Sequence, residues 1–244
     1  MRVDVFFSPG VVDEASVEGR TAVVIDVIRA TSTLVEGLAN GAKAFFPTVS
    51  TEEAVKLASS LGREDTLLCG ERKGLKVEGF DLGNSPAEFT SEAVSGKQLV
   101  MTTTNGTRAF AAVETAERVL AASFMNLSAV ADALDGVSSL VIVCSGRENR
   151  FSLDDALCAG MLLQALDGKT DRGMTLNDAG RVAADLASTY EVTADFLGTT
   201  AAGKALIGAG LEGDLELCAS LDRHTLVPEM RERRISIPPR EAEG

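Results

Sequence analysis

An acid and a guanidinium three residues apart, Asp26 and Arg29, lie in the stretch VIDVIRATST (residues 24–33), where an apolar run gives way to three hydroxyl side chains. At the carboxyl end of a buried strand such a pair is either a structural ion pair or a catalytic pair, because open α/β sheets bind their ligands outside the strand ends. Thr31 or Ser32 can cap the helix that follows, which accounts for the hydroxyls and leaves the acid and the arginine unexplained.

Three further stretches combine similar chemistry. CGERKGLKVEGFDLGNSP (69–86) is a long, glycine-punctuated loop carrying Glu71, Arg72, Lys73, Lys76, Asp81, Asn84 and Ser85; loops of that length are uncommon and often functional. MTTTNGTRA (101–109) sets Thr102, Thr103, Thr104, Asn105 and Thr107 between a buried strand and a helix. Hydroxyls and free N–H groups at such a helix start are expected to cradle a phosphate or sulfonate. In CSGRENRFSLDDALCAG (144–160), Ser152 and Asp155 have capping-box spacing, with Asp154 beside them in the first turn. Next to Arg147, Glu148 and Arg150, the same carboxylates can hold Mg²⁺ or orient a water. Cys144 and Arg150 also reproduce the Cys-x5-Arg spacing of cysteine-dependent phosphatases. Val143 stands where those enzymes carry histidine, and a packed strand-end thiol is the expected reading of Cys144.

Positioning these corners requires strands that alternate with helices. RVDVFF, TAVVIDV, AKAFFP, TLLCGE, KQLVMTT, ERVLAA and SLVIVCS read as strands, with helices over 33–40, 51–61, 106–114, 126–134 and 152–166. The alternation predicts a three-layer α/β/α fold around a largely parallel, or mixed, sheet. From Met174 onward the pattern is helical, as in RVAADLAS and TTAAGKALIGAG, and the residues after Pro238 read as a polar tail. A single α/β domain over 1–244 is the simplest division, although two lobes around a cleft also fit the length. The C-terminal helices either close over the site or form a subunit interface, which leaves a homo-oligomer open.

Composition narrows the function. With 244 residues, 45% of them hydrophobic, the chain can bury a sizeable core. A formal net charge of −13 argues against nucleic acid and anionic membranes as partners. A small anion would need locally concentrated basic side chains. The only histidine is His224, so acid–base chemistry falls to carboxylates, and a bound metal would be a hard cation such as Mg²⁺ held by oxygen. The four cysteines lack zinc spacing and read as reduced thiols. No apolar run is long enough to span a bilayer and no secretory signal is evident, so a cytoplasmic location is expected.

Taken together, VIDVIRATST, GERKGLKVEGFDLGNSP, TTTNGT and FSLDDALCAG, in this order and spacing, closely resemble the 2-phosphosulfolactate phosphatase (ComB) family, from about residue 1 to the DRHTLVPEM segment. The resemblance implies Mg²⁺-dependent hydrolysis of 2-phosphosulfolactate to sulfolactate and phosphate, a step of coenzyme M biosynthesis in methanogens; similar sequences occur in bacteria that do not make methane, so it implies the reaction and leaves the pathway open. It makes the acids the reaction centre: Asp26 on Mg²⁺ or on the nucleophile, with Glu71 and Asp154 or Asp155 completing the set. Arg29 is expected to act with these acids as a catalytic residue on the phosphate, Arg72 and Arg150 to bind substrate, and Thr103, Thr104, Asn105 and Thr107 to hold its remaining anionic group. Another acidic phosphomonoester as substrate, or a non-catalytic sensor of anionic metabolites, are the competing expectations.

Overall fold

The computed structural model describes residues 1–167, 169 and 173–238. Among the described residues eleven strands form one sheet: β1 (Arg2–Phe6), β2 (Thr21–Ile25), β3 (Ala44–Thr48), β4 (Thr66–Arg72), β5 (Leu75–Lys76), β6 (Gln98–Thr102), β7 (Arg118–Ala122), β8 (Ser139–Cys144), β9 (Thr175–Leu176), β10 (Glu229–Arg231) and β11 (Arg234–Ser236). Their order is β5-β4-β6-β3-β11-β10-β7-β2-β8-β1-β9. Two parallel blocks, β4-β6-β3 and β7-β2-β8-β1-β9, are joined by the antiparallel hairpin β10–β11. The fold is thus α/β with a mostly parallel, mixed sheet, as expected.

Helices interleave with the strands in chain order: α1 (Glu14–Val17), α2 (Ala30–Ala39), α3 (Thr51–Leu61), α4 (Ser91–Val94), α5 (Gly106–Ala112), α6 (Leu127–Ala133), α7 (Leu153–Asp167), α8 (Asp178–Thr189), α9 (Ala194–Thr199), α10 (Ala201–Gly208) and α11 (Asp214–Cys218). Successive strand residues face opposite sides of a sheet, and the central strands use both. Val23, Ile25, Leu140 and Ile142 pack with Leu157 and Leu162 of α7 and Val130 of α6. Ala22, Val24, Val141 and Val143 pack with Leu34 of α2 and Phe110 of α5 on the other side. Double-sided burial explains why these strands read as continuous apolar runs.

Two features depart from the sequence reading. The C-terminal region opens with the strand β9, beside β1, and is helical only from α8 to α11. Beyond it the chain returns as the β10–β11 hairpin, with Met230 opposite Val119 and Ile235 opposite Phe45. The helix expected over 33–40 begins earlier, at Ala30, which takes Thr31, Ser32 and Thr33 inside it, and Arg29 at the N-cap makes no side-chain capping bond. The hydroxyls hold the corner instead of capping it. Thr31 Oγ1 accepts from Asp26 N (3.0 Å) and donates to Asp26 O (2.8 Å), while Ser32 Oγ donates to Val27 O (2.8 Å). Thr33 Oγ1 donates to Asn84 O (2.9 Å), which ties the corner to the 69–86 loop. The polar tail expected after Pro238 lies outside the described residues.

Candidate active site

The carboxyl ends of β2 and β8 lie side by side, with Ile25 opposite Cys144, and Ser145 N continues the ladder by donating to Ile25 O (2.7 Å). β4 and β6 form a second neighbouring pair, with Gly70 opposite Thr102. The Gly70 backbone lies in the left-handed region (φ 141°), and a Cβ there would fall 1.9 Å from Thr102 O, so only glycine permits this approach. Four strands separate β6 from β2 in the sheet. The loops after the two pairs nevertheless meet: Glu148 N donates to Asn105 Oδ1 (3.0 Å), and Gly106 abuts the Asp26 carboxylate.

Between them lies a cavity of about 340 Å³. The corners after β2 and β8 contribute Asp26, Arg29, Ser145, Gly146, Arg147, Asp154 and Asp155 to its wall, the 69–86 loop contributes Glu71, Lys73, Gly74 and Asn84, and the turn after β6 contributes Thr103, Thr104 and Asn105. Ala202, Ala205 and Leu206 of α10 supply an apolar side. Arg147 Nη1 donates to Ala201 O, joining that helix to the loop after β8.

The acids differ in what their oxygens already do. Asp155 accepts from Val27 N (2.8 Å) through Oδ1, and from Gly146 N (3.0 Å) and Ser145 Oγ (3.1 Å) through Oδ2, so it fastens the ends of β2 and β8 together. Glu71 accepts from Thr104 N through Oε1 and from Gly74 N through Oε2, both at 2.7 Å, and joins the loop after β4 to the turn after β6. Asp26 accepts from Ala30 N (3.1 Å) through Oδ1, and among the described residues no backbone donor reaches its Oδ2. Asp154 accepts from Ser152 Oγ through Oδ1 alone.

Burial is the main force on the titration of the three aspartates. It pushes the Asp26 carboxyl up to about 7; the Ala30 N–H and the Ser145 hydroxyl pull it down, and the negative charges of Asp154 and Glu71 raise it further. Burial also raises Asp154, against the Ser152 hydrogen bond, and raises Asp155 well above the carboxylate range, with Asp154 and Asp26 adding repulsion.

Arg29 is 5% exposed and ion-paired to Asp214 of α11 (2.7 Å), while its Nη2 donates to Gly74 O (3.0 Å). Asp214 in turn accepts from Ser85 Oγ (2.5 Å). Arg29 therefore reaches the cavity wall, and its carboxylate partner is Asp214 rather than Asp26.

The structure brings Asp26, Arg29, Glu71, Thr103, Thr104, Asn105, Asp154 and Asp155 to one cavity, and leaves three expected binders off its wall. Arg72 follows Glu71 on a strand and so points the other way, donating to Thr102 Oγ1 (2.8 Å). Thr107 is buried in the first turn of α5 and donates to Thr103 O (3.1 Å). Arg150 is exposed beyond a turn, with Glu148 and Asn149 left-handed, in which its backbone pairs with Arg147. Thr104 N is already engaged by Glu71, so the threonine turn offers an anion fewer free donors than its composition suggests. Lys73, Arg147, Ser145 and the α10 wall enter in their place, and Asp214 had no local signal at all. Cys144 is wholly buried in the core, and burial lifts its thiol well above the ordinary range, so the Cys-x5-Arg spacing does not assemble a thiolate site.

Among the described residues no three His, Cys, Asp or Glu side chains converge as a metal cage. Mg²⁺ needs no such cage, because it is commonly held by one or two carboxylates together with water and substrate phosphate. Asp26 and Asp154 fit that pattern; Glu71 and Asp155, with both oxygens on protein donors, fit it less well.

Comparison with known proteins shows the family. The family model described as 2-phosphosulpholactate phosphatase matches residues 6–233. The chain belongs to that family. A "Probable 2-phosphosulfolactate phosphatase" of Clostridium acetobutylicum is 40% identical over 230 residues, covering 94% of this chain and 97% of its own length. One of the same name from Thermotoga maritima is 41% identical, covering 93% and 95%. As a member of the 2-phosphosulfolactate phosphatase family, the chain carries all four corners inside the matched region. Among the described residues no helix is long and apolar enough to cross a membrane.

Proposed function

We propose that this chain is a phosphatase that hydrolyses 2-phosphosulfolactate to 3-sulfolactate and phosphate, supplying coenzyme M biosynthesis or another route of sulfolactate metabolism. The observation that carries the reading is the meeting of two buried carboxylates, Asp26 and Asp154, with Arg29, Lys73 and Arg147 around one cavity, in a family whose members bear that activity in their names. Phosphoryl transfer depends mainly on positioning and on neutralising charge, which is what such a wall offers.

Asp26 and Asp154 would hold Mg²⁺, which when bound supplies positive charge to the phosphoryl oxygens. Arg147 and Lys73 draw the polyanionic ester into an otherwise acidic protein. Arg29, fixed by Asp214 and Gly74 O, adds a cation that needs no rearrangement when the ester arrives. Asp26, with Oδ1 pinned by Ala30 N–H, orients the attacking water; as the new P–O bond forms and the bridging P–O bond breaks, the water's proton passes through Asp26 to the bridging oxygen, which leaves as the hydroxyl of sulfolactate. Glu71 and Asp155 keep the four loops in register.

The test is phosphate release by the purified protein from 2-phosphosulfolactate, 2-phospholactate, 2-phosphoglycolate and phenyl phosphate, with Mg²⁺ and with EDTA. The expected result is Mg²⁺-dependent turnover with the highest kcat/KM for 2-phosphosulfolactate. Preference for another ester would reassign the substrate, and undiminished turnover in EDTA would overturn the metal.

A further inference from the structure

Asp214 opens α11 and is not itself one of the described residues that line the cavity. It is 4% exposed, and both of its carboxylate oxygens are engaged: Oδ2 accepts from Arg29 Nη1 (2.7 Å) and Oδ1 from Ser85 Oγ (2.5 Å). Leu215 and Cys218 anchor the helix in the core, so the carboxylate is presented from a fixed element.

A buried ion pair is a poor stabilising device, because desolvating two charges offsets most of their attraction. This pair has a second use. A guanidinium carries five N–H donors, and the bonds to Asp214 and to Gly74 O (3.0 Å) take one from each Nη. Together they fix the plane of the Arg29 guanidinium at the cavity wall and leave its remaining donors for an oxyanion. Ser85 holds Asp214 in turn, and its neighbour Asn84 is tied to α2 through Thr33, so the 69–86 loop, α2 and α11 lock around one arginine. A reacting group held by such supports loses rate more than affinity when one of them goes.

We infer that Asp214 is a positioning residue for the hydrolysis: held by Ser85 and acting through Arg29, it aims the guanidinium at the phosphoryl group in the transition state. This rests on the phosphatase reading for the reaction and adds to it a residue outside the cavity that governs the rate.

The experiment compares the wild type, Asp214→Asn, Asp214→Ala and Ser85→Ala, all with Mg²⁺, in phosphate release from 2-phosphosulfolactate, inhibition by inorganic phosphate, thermal melting and the nitrogen–proton NMR signal of the Arg29 side chain. Asp214→Asn can still accept from Arg29 and should lose less than about 5-fold in kcat, whereas Asp214→Ala should lose about 10²-fold. Both should melt below the wild type, since each leaves Arg29 charged and buried without its counter-charge; a purely structural role would leave their kcat values equal at a temperature where both are folded. Inhibition by phosphate should change less than about threefold in every variant, because Arg147 and Lys73 still attract it, and the Arg29 signal should be lost in Asp214→Ala alone. Ser85→Ala keeps the ion pair and should lower kcat about 3- to 10-fold with little change in melting, which decides the matter if Asp214→Ala does not fold. Equal kcat in the two Asp214 variants, equal losses of kcat and phosphate affinity, or unchanged kcat in Ser85→Ala would each overturn the inference. Wild-type turnover with unaltered variants removes Asp214 alone. In a wild type without turnover the phosphatase reading falls, and the Arg29 signal then decides whether Asp214 aims the guanidinium: its loss in Asp214→Ala upholds that and its persistence overturns it.

Discussion

At the scale of single residues the site depends on what has been left out as much as on what is present. Gly106 has no side chain, and a Cβ there would stand 2.6 Å from Asp26 Oδ2 and 2.5 Å from Ala30 Cβ. Gly106→Ala should therefore displace the Asp26 carboxylate and lower kcat by about 10²-fold or more, since small misplacements of reacting groups are costly; steady-state phosphate release checks this. Asp26 itself makes the fold less stable. Its carboxyl is raised by burial to about 7 from an ordinary 3.8, so the folded protein binds the proton more tightly than the unfolded chain. Stability is then lost as pH rises from near 4 through about 7. Asp26→Asn removes that loss, and without added divalent cation it should melt above the wild type at pH 8. Cys144→Ser, by contrast, should leave turnover intact, because its thiol is core and not cavity.

At the scale of elements, the corners work because the loops that leave neighbouring strands are stitched together by carboxylates, Asp155 between β2 and β8 and Glu71 between β4 and β6. The β10–β11 hairpin makes this geometry possible by joining the two parallel blocks. Ile235 is 1% exposed and packs beside Phe45; Ile235→Ala should cost about 2–5 kcal/mol in denaturant unfolding, the range for emptying a buried aliphatic position. The parallel strands and their helices were legible because burial on both faces leaves long apolar runs between helical patterns. The hairpin was not, since PEMRERRIS is short and polar and its burial depends on Val119 and Phe45, far away in the chain. The same distinction holds within the site. Asp26 and Glu71 announce themselves as acids at strand ends, and Asp154 as an acid in the first turn of a helix. Arg72 is lost by strand alternation, Arg150 by a left-handed turn, and Asp214 is 185 residues from the arginine it pairs with.

At the scale of the whole molecule, the segment leading back to the hairpin is stapled to the buried side of α2. Glu36 receives His224 Nε2 (2.8 Å) and Arg223 Nε (3.1 Å). Burial pushes its carboxyl up, but the His224 and Arg223 hydrogen bonds outweigh that and hold it below its ordinary 4.5. A depressed carboxyl stabilises the fold above its unfolded pKa and loses that contribution as pH falls through its folded value. Stability should thus decline below about pH 4.5 partly through Glu36. Glu36→Gln should melt lower at pH 7 and show a flatter acid limb in thermal scans.

All three scales meet in the carboxylate at the end of β2, so the most direct test is the turnover of 2-phosphosulfolactate by Asp26→Asn beside the wild type, both with Mg²⁺ and both shown to be folded. The expected result is a fall in kcat of about 10²–10⁴-fold, the range for losing a proton acceptor at a reaction centre, in a protein at least as stable as the wild type. Wild-type turnover in the variant would contradict the placing of Asp26 at the reaction centre.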